Sequence, residues 1–560
     1  MIHSETQGLN SVKQLIEEGK IKEALQIILE LEHGKDFSPK ELLSYKLAKA
    51  KLLHLSGNHL NAIEIAKKIF QEFQKLGDLV SSLDALLIQA HSYMIIVNLN
   101  KCEDVIRQIE DLLKKINAEI SIDLRERESL FVRIKGGILF FKGQIRESLE
   151  LNKKAYQLAK DTGNKELISG SLNNIADKYY HMKDYNKAIK YAKRALELNH
   201  NPSLAVVLAT LIEINVSKGD IKEAMDYLDL LRDHSEKFNS KLNKIFYQSS
   251  MALILKSSLR ARDRIKAEDL LKELVMDKAI ISYIRIDAII NLCDLNLTEL
   301  RITNDIEIIK EIQGHIQELL IIAEKHNLYL YLAETYLLQA KLSLLTLDIK
   351  KAKRLLIQAQ KAAESHDMKR MAMKISNEHD KLLRQTKMWE SLNISEVPLS
   401  ERLELTGLSE QMENMVKRRM GEVPEIAKED PVMLLILTEG GNLLFSKKFV
   451  EDFSFEDDIL GGFLTTLNYI ITEVFSEGLD RAVFGQYTLL MIPVQPFLAC
   501  YVFKGYSYYA YQKIKNFLDS IQNDSFIWQT LQDSFQKSKS VKLKDVPPLE
   551  SLLTEIFLEK

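Results

Sequence analysis

Proline is nearly missing from most of this 560-residue sequence: of nine prolines, only Pro39 and Pro202 precede residue 398. Inside a helix, proline forfeits a backbone hydrogen bond and clashes with the preceding turn, so its absence over such a length suits a chain of helices. Cysteine is scarce too. Cys102, Cys293 and Cys500 are widely spaced and odd in number, which excludes a disulfide framework or a cysteine-built zinc site and leaves them as small buried apolar residues. A dominant charge is also lacking: 76 Lys and Arg stand against 79 Asp and Glu, a net −3, so no long-range field recruits nucleic acid or an anionic membrane. The one charge-free run of 18 residues or more, 482–503, is interrupted by Pro493 and Pro496, and the start MIHSETQGLN has no apolar core behind a charged residue. No integral membrane contact is expected, and the protein is read as soluble and cytoplasmic.

The motifs of common chemistries are missing as well. No glycine loop ends in Gly-Lys-Ser/Thr, and Gly34-Lys35 lacks both the earlier glycine and the hydroxyl that a phosphate cradle needs. There is no His-Glu-x-x-His, no acidic calcium loop and no Gly-x-Ser-x-Gly elbow. Gly461-Gly462 lies inside an apolar helical pattern, where close packing accounts for it better than dinucleotide binding. The twelve histidines are scattered and read as solvated or core residues. The basic clusters Lys417-Arg418-Arg419 and Lys537, Lys539, Lys542 and Lys544 read as solvated faces. No catalytic residue, cofactor or metal is expected.

What is present is a repeat. Gly19/Ile21/Ala24, Gly57/His59/Ala62, Gly143/Ile145/Ser148, Lys183/Tyr185/Ala188, Gly219/Ile221/Ala224 and Leu347/Ile349/Ala352 follow one phrase, with weaker copies near Asn98, Arg262 and Asn304. A turn residue breaks one helix, an apolar or aromatic residue two on plugs the corner, and a small residue three later lets the next helix approach. Successive copies are 36 to 45 residues apart, the signature of stacked helix pairs that bury their apolar faces on neighbours.

The best copy, SLNNIADKYYHMKDYNKAIKYAKRALEL at 171–198, resembles the tetratricopeptide repeat family, with Leu172, Ala176, Tyr179, Tyr185, Ala188 and Ala195 at its packing positions. The period is longer than that family's usual ~34 residues, so these are read as long-helix variants. The resemblance implies a right-handed superhelix of about nine pairs over residues 1–390, with a groove lined by the first helix of each pair. Its positions carry over to Asn173, Asp177 and Tyr180 on the best copy, and to Arg133, Gly137 and Phe140 on the copy at Gly143. Some family members clamp a peptide's terminal carboxylate with Lys and Asn; Asp177 puts an acid there, which argues against that peptide class.

Residues 391–430 mix turn residues with short apolar runs and read as a linker with a short helix near Glu410–Met420. Beyond Pro431 come strands VMLLILT and NLLFSKKF about Glu439-Gly440-Gly441, an apolar helix in DDILGGFLTTLNYIITEVF, three strands in RAVFGQYTLLMIPVQPFLACYVF, then two helices. The fold class is thus an α-α superhelix followed by a small α+β domain with a five-stranded antiparallel sheet over 431–540, and a tail or helix over 541–560. The order β-β-α-β-β-β-α-α resembles the longin-like and roadblock-like domains of trafficking and small-GTPase-regulating proteins. Tyr506, Tyr508, Tyr509 and Tyr511 form a candidate interface there, since tyrosine joins a large ring to a polar tip.

Together these readings describe a non-enzymatic scaffold that binds a protein or peptide in its groove. By resemblance its second module docks a small GTPase, a trafficking-type complex or another copy of itself. Two alternatives stand: a ligand- or peptide-sensing regulator, and an enzyme with an unrecognised site in the sheet domain.

Overall fold

The computed structural model describes residues 11–558 apart from 13, 17, 33–37, 199, 239, 278–281, 367, 393–396, 417–428, 439–441, 451–480 and 538. These residues form two compact units, one drawn from 1–332 and 409–419, the other from 333–408 and 420–560. Among the described residues no helix is long and apolar enough to cross a membrane.

The first unit is built of helix pairs: Pro39–Leu55 with His59–Lys75, Leu79–Ile95 with Leu99–Glu119, Arg125–Phe141 with Ile145–Lys160, Lys165–His181 with Tyr185–Glu197, Asn201–Lys218 with Ile221–Phe238, Lys241–Lys256 with Ala261–Met276, and Ser282–Thr303 with Glu307–His326. Each helix packs on the next, and the first helix of each pair also touches the first helix of the following one, giving an inner layer. The recurring phrase has a backbone cause. Gly19, Gly57, Gly143, Lys183, Gly219 and Asn304 have φ between +55° and +89°, the left-handed conformation that stops a helix. The next residue often starts the new one: Asn98, Asp184 and Asp220 side chains accept the N–H of Lys101, Lys187 and Glu223, satisfying a donor left over at the helix start.

The small residue of the phrase is fully buried at Ala24, Ala62, Ser148, Ala188 and Ala224, where a larger side chain would force the paired helices apart. The weak copy at Asn98 proves to be one residue out of register. The left-handed residue is Val97, and the small buried residue is Cys102, at 0% exposure. Arg262 lies inside the helix Ala261–Met276, so that copy keeps only its small residue, Ala267.

The unit coils until its own turns meet later helices. A Cβ on Gly19 would fall 2.9 Å from the Phe238 ring, and one on Gly143 would lie 3.6 Å from Leu330. The Asn201 side-chain amide donates to the Glu18 carbonyl at 3.4 Å.

The second unit carries a five-stranded antiparallel sheet, β1 (Asp430–Thr438), β2 (Leu443–Lys448), β3 (Arg481–Phe484), β4 (Tyr487–Val494) and β5 (Phe497–Lys504), in the order β2-β1-β5-β4-β3. The Gly485-Gln486 turn joins β3 to β4 as expected. Alternation along β1 sends Leu434 and Ile436 into one apolar cluster and Met433, Leu435 and Leu437 into another, so both faces are buried. The first cluster is closed by the helices Ser507–Asn523, Ser525–Gln536 and Pro547–Leu553. The sheet is tied to the helix Lys369–Arg384: Arg481 on β3 and Asp380, each 1% exposed at the side chain, pair at 3.1 Å. Asp380 also accepts the Ser507 N–H at 2.9 Å and hydroxyl at 2.6 Å.

Of the linker helix expected near Glu410–Met420, the structure describes Leu408–Val416. The Glu439–Gly441 turn, the apolar helix expected over 457–475 and Lys417–Arg419 lie outside the described residues.

Candidate binding groove

On the first helix of each pair, residues three and four apart share a face. The stripe Glu166, Gly170, Asn173, Asp177 therefore continues through Val206, Thr210, Glu213, Ser217 on the next repeat and Asp287, Asn291, Asp294 further on, and all of them line one groove of about 920 Å³. The residues transferred from the repeat pattern, Arg133, Gly137, Phe140, Asn173, Asp177 and Tyr180, line it as well.

Most of the charges in the groove are satisfied locally. Asp177 lies 2.6 Å from Lys178 Nζ and 3.0 Å from His181 Nε2. Burial works against its charge, and Lys178 and His181 outweigh burial, holding the carboxyl well below the usual range. Lys178 Nζ also sits 4.0 Å from the centre of the Phe140 ring, a cation–π contact. Asp177 is thus committed to its own helix, and the reason it gave for disfavouring carboxylate ligands does not hold. Lys51 pairs with Glu166 at 3.2 Å and Lys256 with Asp294 at 2.7 Å. Tyr180 shares a 2.9 Å hydrogen bond with Ser217.

Arg133 differs from these. It is 7% exposed, and no described residue lies within hydrogen-bond or ion-pair distance of its guanidinium. Burial lowers its pKa and Glu166 partly offsets that. Its place is made by an absence on another helix: a Cβ on Gly170 would fall 1.9 Å from Nη1. Nearby, the His54 and His91 rings lie 4.4 Å apart, tilted by 41°, and His54 meets His59 edge-on at 5.0 Å, and His54 Nδ1 contacts Ser92 Oγ at 2.8 Å. Burial depresses all three, to about 4 for His59, with further lowering of His54 by His59 and Arg133 and of His91 by His54 and Arg133. These imidazoles are neutral at pH 7. Neither they nor any other three His, Cys, Asp or Glu among the described residues are arranged to hold a metal ion. Asn173 is buried, and its Oδ1 has no hydrogen-bond partner.

The sequence could have revealed the pairing of Asp177, since Lys178 adjoins it and His181 follows one helical turn on. The histidine cluster and the Gly170 cradle gave no sequence signal, because each joins different helices. In the second unit, Tyr508 is 6% exposed, Tyr511 packs on the core and Tyr506 lies under Arg384 at 5.0 Å. Of the candidate quartet, Tyr509 is exposed, at 38%.

The tetratricopeptide repeat family matches residues 127–200, the two pairs that carry Arg133, Asn173 and Asp177. The chain is a helical, tetratricopeptide-like repeat region followed by a five-stranded antiparallel sheet with helices. Among solved structures it is similar to a Rap protein complexed with competence and sporulation factor, at 14% identity over 67% of this chain and 100% of that one, TM-score 0.43. It is also similar to the apo form of the quorum sensor NprR from B. thuringiensis, at 18% identity over 68% and 99%, TM-score 0.38. A third is the tetratricopeptide sensor ATPase PH0952 from Pyrococcus horikoshii, at 18% over 57% and 48%, TM-score 0.36. At such scores these likenesses carry no argument about function. No curated protein matches the sequence.

Proposed function

We propose that this chain is a peptide-sensing regulatory protein whose groove takes an extended peptide, acting by binding and not by catalysis. The observation that carries the reading is the groove's repeated lining. Asn173, Asn174, Ser203, Thr210 and Asn291 recur along about 920 Å³ of concave surface, and amides and hydroxyls can both donate to and accept from a strand of peptide backbone. The volume is at the upper end of the ~300–1,000 Å³ typical of ligand sites.

A randomised octapeptide pool passed over the immobilised full chain tests this, with retained peptides identified by mass spectrometry. Val206 lines the groove and is half-buried, so Val206→Trp would fill it. Retention by the wild type and its loss in V206W is the expected result. Equal retention by both, or none by either, sinks the reading.

A second reading concerns the sheet domain, whose observed strands and trailing helices support the longin-like resemblance. On it, the domain docks a small GTPase or another copy of itself.

A further inference from the structure

A cation without a partner is ordinary in water and exceptional when buried. Arg301 also lines the groove but is exposed, so solvent satisfies it. Arg133 is 7% exposed, and a guanidinium cannot relieve its burial by losing a proton at physiological pH. Its surroundings do not cancel the charge. Glu166 is shared with Lys51, so the three together leave one positive charge, and the neighbouring imidazoles are neutral. Its planar fork of N–H donors therefore has no acceptor among the described residues, and a fork of that shape matches the two oxygens of a carboxylate.

Position along the array says where in a ligand that carboxylate lies. The groove runs from His54 and His59, on repeats before Arg133, to Asp287 and Asp294, on repeats after it. A peptide filling it passes Arg133 on both sides, so the group presented there belongs to the middle of the peptide and not to its end. Resting on the peptide-binding reading above, we infer that Arg133 anchors the side-chain carboxylate of an Asp or Glu inside the bound peptide, with Gly170 as the residue that keeps the guanidinium in place. Methyl-for-hydrogen substitution at Gly170 would drive Nη1 away from its 1.9 Å approach while leaving the charge intact.

The experiment uses the full chain and four octapeptide pools. The central position is fixed as Glu or Gln and the C-terminus is free or amidated, with no other acidic residue allowed. The Glu pools should be retained about tenfold to a hundredfold better than the Gln pools, the span of one charge-assisted hydrogen-bonded pair, whatever the terminus. That preference should vanish in Arg133→Met and shrink in Gly170→Ala, both checked for native helicity by circular dichroism; G170A keeps the test alive should R133M not fold. Glu preference that persists unchanged in the folded variants overturns the inference. So does a preference for the free terminus over the amide with none for Glu over Gln. Peptides retained with no acid preference refute the Arg133 anchor and leave the peptide-binding reading standing. Retention of no pool removes both.

Discussion

Replacing Asp380 by alanine should loosen the second unit without touching the first. Asp380 accepts from Arg481 Nη1, from the Ser507 N–H and from the Ser507 hydroxyl, so its removal takes a carboxylate away from a buried guanidinium and from two donors at the start of the helix Ser507–Asn523. Breaking one side of a buried pair costs about 3–5 kcal/mol. Arg481 Nη1 also reaches Ser376 Oγ at 3.1 Å and keeps that bond, which places the expected loss near ~3 kcal/mol. With a urea slope near ~2 kcal/mol/M, the midpoint should fall by roughly 1.5 M. Both tryptophans of the chain, Trp389 and Trp528, belong to the second unit, so their fluorescence reports its unfolding selectively. The paired change Asp380→Leu with Arg481→Met should recover most of the loss, because apolar replacements leave no orphaned charge. A midpoint shift below about 0.3 M for D380A, or a double variant no better than the single one, would refute the idea that this pair fastens the sheet to its helix.

Two further outcomes follow from the first unit. His59 has a folded-state pKa of about 4 against ~6.5 when unfolded, and neither ring nitrogen has a hydrogen-bond partner. Below about pH 6.5 the unfolded chain takes up the proton first. Stability is therefore full above that pH, falls by about 2–3 kcal/mol towards pH 4 and levels off below it. His54 and His91, depressed in the same direction among Lys51, His59 and Arg133, steepen the fall. Denaturation followed by circular dichroism at several pH values should show this slope, reduced in His59→Phe; a flat profile would contradict it. Lys183 is exposed at φ +62°, a conformation costing L-residues about 1–2 kcal/mol. Lys183→Gly should therefore gain ~0.5–1 kcal/mol after the extra freedom of unfolded glycine is subtracted, and an unchanged midpoint would count against strain at that turn.

The array was legible because one backbone event, a left-handed residue followed by a new helix start, recurs at each pair of the first unit described above except Lys241–Lys256 with Ala261–Met276. Even the copy at Asn98 was only a residue out, since Val97 performs the turn without the glycine that marks it elsewhere. That the six transferred residues, Arg133, Gly137, Phe140, Asn173, Asp177 and Tyr180, line one groove was legible for the same reason: register fixes face. What surrounds each of them was not. The isolation of Arg133 depends on a glycine of the next repeat, and the depressed histidines on the stacking of three different helices. How the tyrosine cluster divides between core and surface was hidden for a related reason. Along the helix Ser507–Asn523 the buried stripe runs through Tyr508, Ala510, Ile514 and Phe517, so aromatic richness at its start serves the core more than the surface.

The seat of the Gly19 turn against Phe238 bears on how the chain reaches its native state. In an open solenoid each pair can settle on its predecessor as synthesis proceeds, and every contact is local. Here the earliest turn rests on a helix that ends at Phe238, with the Asn201 amide bonded to a carbonyl 183 residues earlier. Closing that distance costs chain entropy before any contact returns it, so this step is slower than local pairing. The first pairs to emerge therefore wait, already helical but laterally bare, until the coil has come round far enough to clasp them.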